Sequence, residues 1–172
     1  TGESFPFASK KLRSDREIVL AAVLASNKLC SEVLELAAEK IKSDREIILA
    51  AVNQTGLALE YANEELKSDR EIVLAAVKQN GEVLKFASQE MKSDRDIVMA
   101  AVSQEGWALY DAAEEFKSDR EIVLAAFLNS DTINSISDNA ISCADKKLRS
   151  DREFFLAAVK QNGEVLKFAS QE

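Results

Sequence analysis

One tetrapeptide returns along this chain too regularly for a single irregular core. Ser-Asp-Arg-Glu begins at Ser14, Ser43, Ser68, Ser118 and Ser150, and Ser-Asp-Arg-Asp begins at Ser93. The intervals are 29, 25, 25, 25 and 32 residues, and the segment AAVKQNGEVLKFASQE at 75–90 recurs unchanged at 157–172. A unit this short cannot cover its own apolar side, so such units are stable only when stacked on one another. The expected fold is therefore all-α, a solenoid of tandem helix–turn–helix (αα-hairpin) repeats running as one array over 1–172. Its units are a partial repeat at 1–13, then 14–42, 43–67, 68–92, 93–117, 118–149 and 150–172. The first residue is Thr and neither end carries a polar capping unit, which leads us to expect a piece of a longer protein.

Each unit reads as two short helices. Ser followed three places later by Glu matches a capping box, with Ser as the N-cap and Asp at the first helical position, favourable to the helix dipole. The run Ile72-Val73-Leu74-Ala75-Ala76-Val77 that follows is apolar on every side, as in a helix covered by neighbours. All five glycines (Gly2, Gly56, Gly81, Gly106 and Gly163) fall in one slot after this helix, which predicts a left-handed turn. A second amphipathic helix then carries Val83, Leu84, Ala87 and Met91 on one face. The long intervals exceed the period by four and seven residues, about one and two helical turns. Leu29, Val33, Leu34, Ala37 and Ile41 keep one helical phase, as do Ile133, Ile136, Ala140, Ile141, Ala144 and Leu148 across 132–148. The extra residues are thus expected to lengthen the second helix. A strand-plus-helix horseshoe also has units of this length, but the adjacent alanines and the missing L-x-x-L-x-L pattern oppose it.

The pattern D-R-E-[IV]-V-L-x-A-V-x-Q-N-G-x-x-L-x-[YF]-A-S, renewed by K-S-D-R-E, resembles the short repeats of domain-of-unknown-function family 4116. The likeness is closest over 43–127 and 150–172. It implies an array architecture and carries no activity and no functional residue.

Composition narrows the function. The chain has no histidine, the commonest general base and metal ligand near neutral pH. Its glycines are isolated, so no phosphate-cradling loop is present, and the six recurring serines are assigned to caps. The stretch 131–138 lacks the central Gly and final Glu of a calcium loop. No cofactor or metal is expected, and the chain reads as a non-enzyme. Its net charge of −8 offers no basic stripe for nucleic acid or for an anionic membrane, which leaves protein as the expected partner. Cys30 and Cys143 form no ligand-spaced pair, which fits a reducing, cytoplasmic setting.

Residues shared by every unit should serve the stacking that every unit shares. Arg16, Arg45, Arg70, Arg95, Arg120 and Arg152 are accordingly assigned to inter-repeat pairing with carboxylates or helix-end carbonyls. Lys42, Lys67, Lys92 and Lys117 are placed to meet the negative ends of the second helices. Specificity should lie where units differ. The slot after the glycine holds Leu57, Glu82, Trp107 and Glu164, and Trp107 is the only tryptophan. Three residues on, Tyr110 replaces Glu60, Lys85 and Lys167, and next to it Asp111 replaces Tyr61, Phe86 and Phe168. Trp107, Tyr110 and Asp111 are the candidate partner-binding residues, with Asp111 expected to pair with Arg95 or Arg120 unless the helix is rotated there. The bland alternative has Trp107 packing over the neighbouring unit as local filling. The expected function is a scaffold for protein–protein interaction; the alternatives are a spacer or an array that self-associates through its ends, and a non-catalytic module of a larger enzyme or effector.

Overall fold

A computed structural model of the chain describes residues 8–25, 29–129 and 143–161, and every regular element among them is helical. Six long helices carry the repeat: α1 (Arg16–Ala25), α2 (Arg45–Gln54), α3 (Arg70–Gln79), α4 (Arg95–Gln104), α5 (Arg120–Leu128) and α6 (Arg152–Gln161). Each packs against the next, so the chain is an all-α repeat solenoid of short helices. In α3, Ile72, Val73, Ala76 and Val77 are buried, and Leu74 and Ala75 are half-buried against adjoining units. Their equivalents Ile47, Ile97 and Ile122 are likewise fully buried, giving one core that runs through the described stack.

The start of each long helix differs from the capping box expected. Asp44, Asp69, Asp94 and Asp119 are the N-caps, each accepting from the amides two and three residues on. Asp15 and Asp151 make the same pair of bonds. The preceding serine faces backwards. Ser43, Ser68 and Ser93 donate from Oγ to the carbonyls of Glu39, Glu64 and Gln89, closing the short helical turn before them. Aspartate wins the cap because its carboxylate accepts two amides at once and brings charge to the positive helix end.

The glycines also differ from expectation, because none among the described residues has positive φ. Before Gly81 the chain is extended at Asn80 (φ −150°, ψ 112°), and the glycine is selected by proximity. A Cβ on Gly81 would lie 2.3 Å from the Ala101 carbonyl oxygen of α4, and one on Gly56 2.6 Å from that of Ala76 in α3. Gly56 and Gly81 therefore each seat one unit on the backbone of the next.

The second helix is not a continuous α-helix. Gly56–Tyr61, Gly81–Phe86 and Gly106–Tyr110 are 3-10 turns. The chain then becomes extended, at Ala62 (φ −66°, ψ 150°) and Ala87 (φ −68°, ψ 155°), before a further short turn. Alanine favours helix, so an inter-repeat contact must repay the break. The amide after each break donates to a carbonyl of the preceding unit: Ala38 to Arg13, Asn63 to Lys42, Ser88 to Lys67, Ala113 to Lys92 and Asp145 to Lys117, at 2.8–3.2 Å. Asn63, Ser88 and Asp145 also cap the following turn with their side chains. In the first unit the counterpart is a true α-helix, Cys30–Leu36, and the chain still breaks at Ala37 and Ala38. Its four extra residues thus lie upstream of the break, and the single stripe through Ile41 is interrupted. The stripe expected at 132–148 lies largely outside the described residues.

Two predictions follow from this geometry. Asp69→Ala should lower stability by about 1 kcal/mol or more, while Asp69→Asn keeps the cap and costs less and Ser68→Ala costs least, as read from urea unfolding by circular dichroism. A larger loss at Ser68 would restore the capping box. Gly81→Ala, although free of dihedral strain, should destabilise by about 1–3 kcal/mol through overpacking; a gain in stability would show that the units do not approach this closely.

Candidate functional site

The recurrent arginines and the exceptional fourth unit occupy different parts of the molecule. Arg16 reaches Asp44 (2.7 Å) and Glu46, Arg45 reaches Asp69 (2.8 Å) and Glu71, and Arg70 reaches Asp94 (2.7 Å) and Asp96 (2.6 Å). Arg95 pairs with Glu121 and, more loosely at 3.6 Å, with Asp119, and Arg120 pairs with Asp151. Arg152 has no ion pair among the described residues. Each aspartate divides its labour: in Asp44, Asp69 and Asp94, Oδ1 caps its own helix and Oδ2 takes the arginine of the preceding unit. The Arg45 guanidinium beside Asp69, and that of Arg70 beside Asp94, hold those carboxyls below their usual range despite partial burial. The guanidinium groups are thus engaged in joining units.

The lysines divide as well. Lys92 donates to the Lys85 carbonyl at 2.9 Å, at the end of a 3-10 turn, as helix-end electrostatics leads one to expect. Lys42, Lys67 and Lys117 instead pair with Glu39, Glu64 and Glu114 three residues earlier.

The 3-10 turns pack on one another beside the long helices. Residues three apart eclipse in a 3-10 helix, so each turn presents its second and fifth positions together. In successive units these hold Leu57 and Glu60, Glu82 and Lys85, then Trp107 and Tyr110. Trp107 is half-buried and Tyr110 is 67% exposed. A cavity of about 330 Å³ lies between the turns of the third and fourth units, lined by Glu82, Lys85, Trp107, Ala108, Tyr110 and Asp111. The structure thus brings Trp107, Tyr110 and Asp111 together.

Asp111 departs from expectation in its partners. Arg95 and Arg120 are committed to the next unit, and the cations acting on Asp111 are Lys92, Lys85 and Lys117. Its slot lies at the rim of the core, since Tyr61 and Phe86 there are only half-buried. The local backbone has changed too: the 3-10 turn ends one residue early, and Asp111 is helical (φ −87°, ψ −9°) where Ala62 and Ala87 close the other turns in extended form. Burial raises its carboxyl above the ordinary range, against the pull of the three lysines.

Matches to one family of repeats cover residues 23–67, 44–92, 69–117, 94–139 and 133–172. The chain belongs to DUF4116, a domain of unknown function. Successive DUF4116 matches starting at 44, 69 and 94 advance by 25 residues, the spacing of the Arg–Asp joints. No curated protein and no solved structure matches the chain. Sequence reasoning about this DUF4116 array missed Glu82 and Lys85, which complete the cavity from the neighbouring unit. A comparison of equivalent slots across units shows Glu82 and Lys85 only as what Trp107 and Tyr110 replace; the signal that these slots face one another lies in the stacking of one unit on the next.

A raised carboxyl in the folded state binds its proton more tightly than in the unfolded chain, so stability falls as pH rises through its titration. Asp111→Asn should therefore stabilise the protein at neutral pH. That gain should shrink below pH about 4, as measured by thermal melts from acid to neutral pH. A gain independent of pH would mean that ionised Asp111 is not penalised by its surroundings.

Proposed function

We propose that the array is a non-enzymatic scaffold that holds a protein partner on the face formed by its 3-10 turns, at the cavity beside Trp107 and Tyr110. The observation that carries this reading is the exposure of Tyr110 beside Trp107, at slots where the two preceding units place Leu57, Glu60, Glu82 and Lys85. Large amphipathic rings contribute much contact area for little entropy and dominate interface energetics. Chemistry that would favour an enzyme is sparse: the chain has no histidine, and the described residues gather no metal-ligating cluster. No helix among them is long and apolar enough to cross a membrane. A reducing compartment fits two cysteines that form no disulfide, with the Cys30 thiol pushed up to about 11 by burial and so chemically quiet.

A second reading, association of arrays through their ends, has its own support. Ile18 of α1 is 39% exposed, whereas Ile47, Ile72, Ile97 and Ile122 in the same slot are covered by the preceding unit. At the other end, Arg152 is the donor half of the same joint.

Affinity capture from a lysate of the encoding organism, comparing wild type with Trp107→Ala/Tyr110→Ala, tests the scaffold. We expect a protein retained by the wild type and reduced about tenfold or more with the folded double variant. Capture of nothing but copies of the chain would overturn the scaffold in favour of end-to-end association.

A further inference from the structure

The scaffold reading leaves the chemistry of the partner open, and the cavity narrows it. Two of its walls are aromatic, Trp107 and Tyr110, and two of its lining groups are carboxylates, Glu82 and Asp111, against one ammonium, Lys85. Three lysines act on Asp111 at longer range, but each has a partner of its own. Lys92 Nζ donates to the Lys85 carbonyl at 2.9 Å, Lys85 Nζ sits 5.0 Å above the Phe86 ring, and Lys117 pairs with Glu114 while its Nζ lies 5.9 Å from the centre of the Tyr110 ring. Asp111 consequently has no ion pair among the described residues, whereas the capping aspartates of the stack receive an arginine. A half-buried carboxylate with aromatic neighbours gains most from a cation that can shed its water. Guanidinium fits this best, because it is weakly hydrated, stacks flat on rings and donates in its own plane to a carboxylate.

We propose that the cavity seats the guanidinium of an arginine on a partner protein, stacked on Trp107 and Tyr110, where it displaces Lys117 from the tyrosine ring, and paired with Asp111. The proposal rests on the scaffold reading and deepens it. The net charge of −8 favours approach of a basic segment. The site also differs from the Arg–Asp joints in an important respect: those carboxylates are paired within the stack, and Asp111 has no ion pair among the described residues, only the three lysines at longer range.

Trp107 is the sole tryptophan, so its emission reports on the cavity directly. The probe is the peptide acetyl-Gly-Ser-Ala-Arg-Ala-Ser-Gly-amide, titrated into the full chain beside versions with citrulline or lysine in place of arginine. We expect saturable quenching by the arginine peptide, weakened about tenfold or more by citrulline, which keeps the shape and loses the charge. Lysine should be weaker than arginine, and Asp111→Asn should erase the difference between arginine and citrulline. Equal binding of arginine and citrulline, equal binding of arginine and lysine, or no quenching by any peptide would each overturn the proposal. The citrulline comparison uses wild-type protein, so it decides even if the variant does not fold. If the peptides fail while capture still depends on Trp107 and Tyr110, the scaffold stands and only the guanidinium assignment falls.

Discussion

An aspartate carboxylate has two oxygens, and this stack depends on their being used for different purposes. In Asp44, Asp69 and Asp94 one oxygen terminates the backbone of its own helix while the other receives the arginine of the unit before it. Helix initiation and unit–unit attachment are therefore a single event. A helix that starts one residue late would misplace the acceptor, and an arginine that misses would leave the cap alone to orient the carboxylate. Exposed ion pairs are individually weak, and these arginines are about half exposed. Their value lies in repetition at fixed geometry, together with the backbone bond across each junction and the buried strip of isoleucines.

The backbone bond explains the irregular second half of each unit. A continuous helix there would satisfy its own amides and have none to offer sideways. Breaking at Ala62 or Ala87 frees one amide to reach the Lys42 or Lys67 carbonyl of the unit before. Glycine answers the complementary problem, that of letting the next unit's backbone come near enough for such bonds to close.

The period, the helical class and the inter-repeat destination of the arginines could be read from the letters, because all three follow from what recurs. The details that failed share a cause. Ser and Asp are adjacent and both are good N-caps, so local propensity could not choose between Ser68 and Asp69; the arginine of the previous unit supplies the reason to prefer aspartate. The glycine slot suggested a left-handed turn, but the constraint comes from Ala101 of another unit, which no local pattern contains. The break at Ala87 runs against alanine's own preference for the same reason. At the site, the exchange of Tyr110 and Asp111 was visible as a departure from the repeat, whereas the contribution of Glu82 and Lys85 depends on stacking.

Because every joint links only adjacent units, tension applied to the ends passes through all joints in series. Such a stack does not stretch uniformly; it yields wherever attachment is poorest. The joints after α4 and α5 are the less regular ones, with Arg95 at 3.6 Å from Asp119 and Arg120 paired with one carboxylate, Asp151, among the described residues. Extension would begin there, at the far side of the unit that carries Trp107, while the joint that spans the cavity, where Arg70 holds both Asp94 and Asp96, stayed closed, so that the molecule could lengthen as a tether while its aromatic cavity kept its shape.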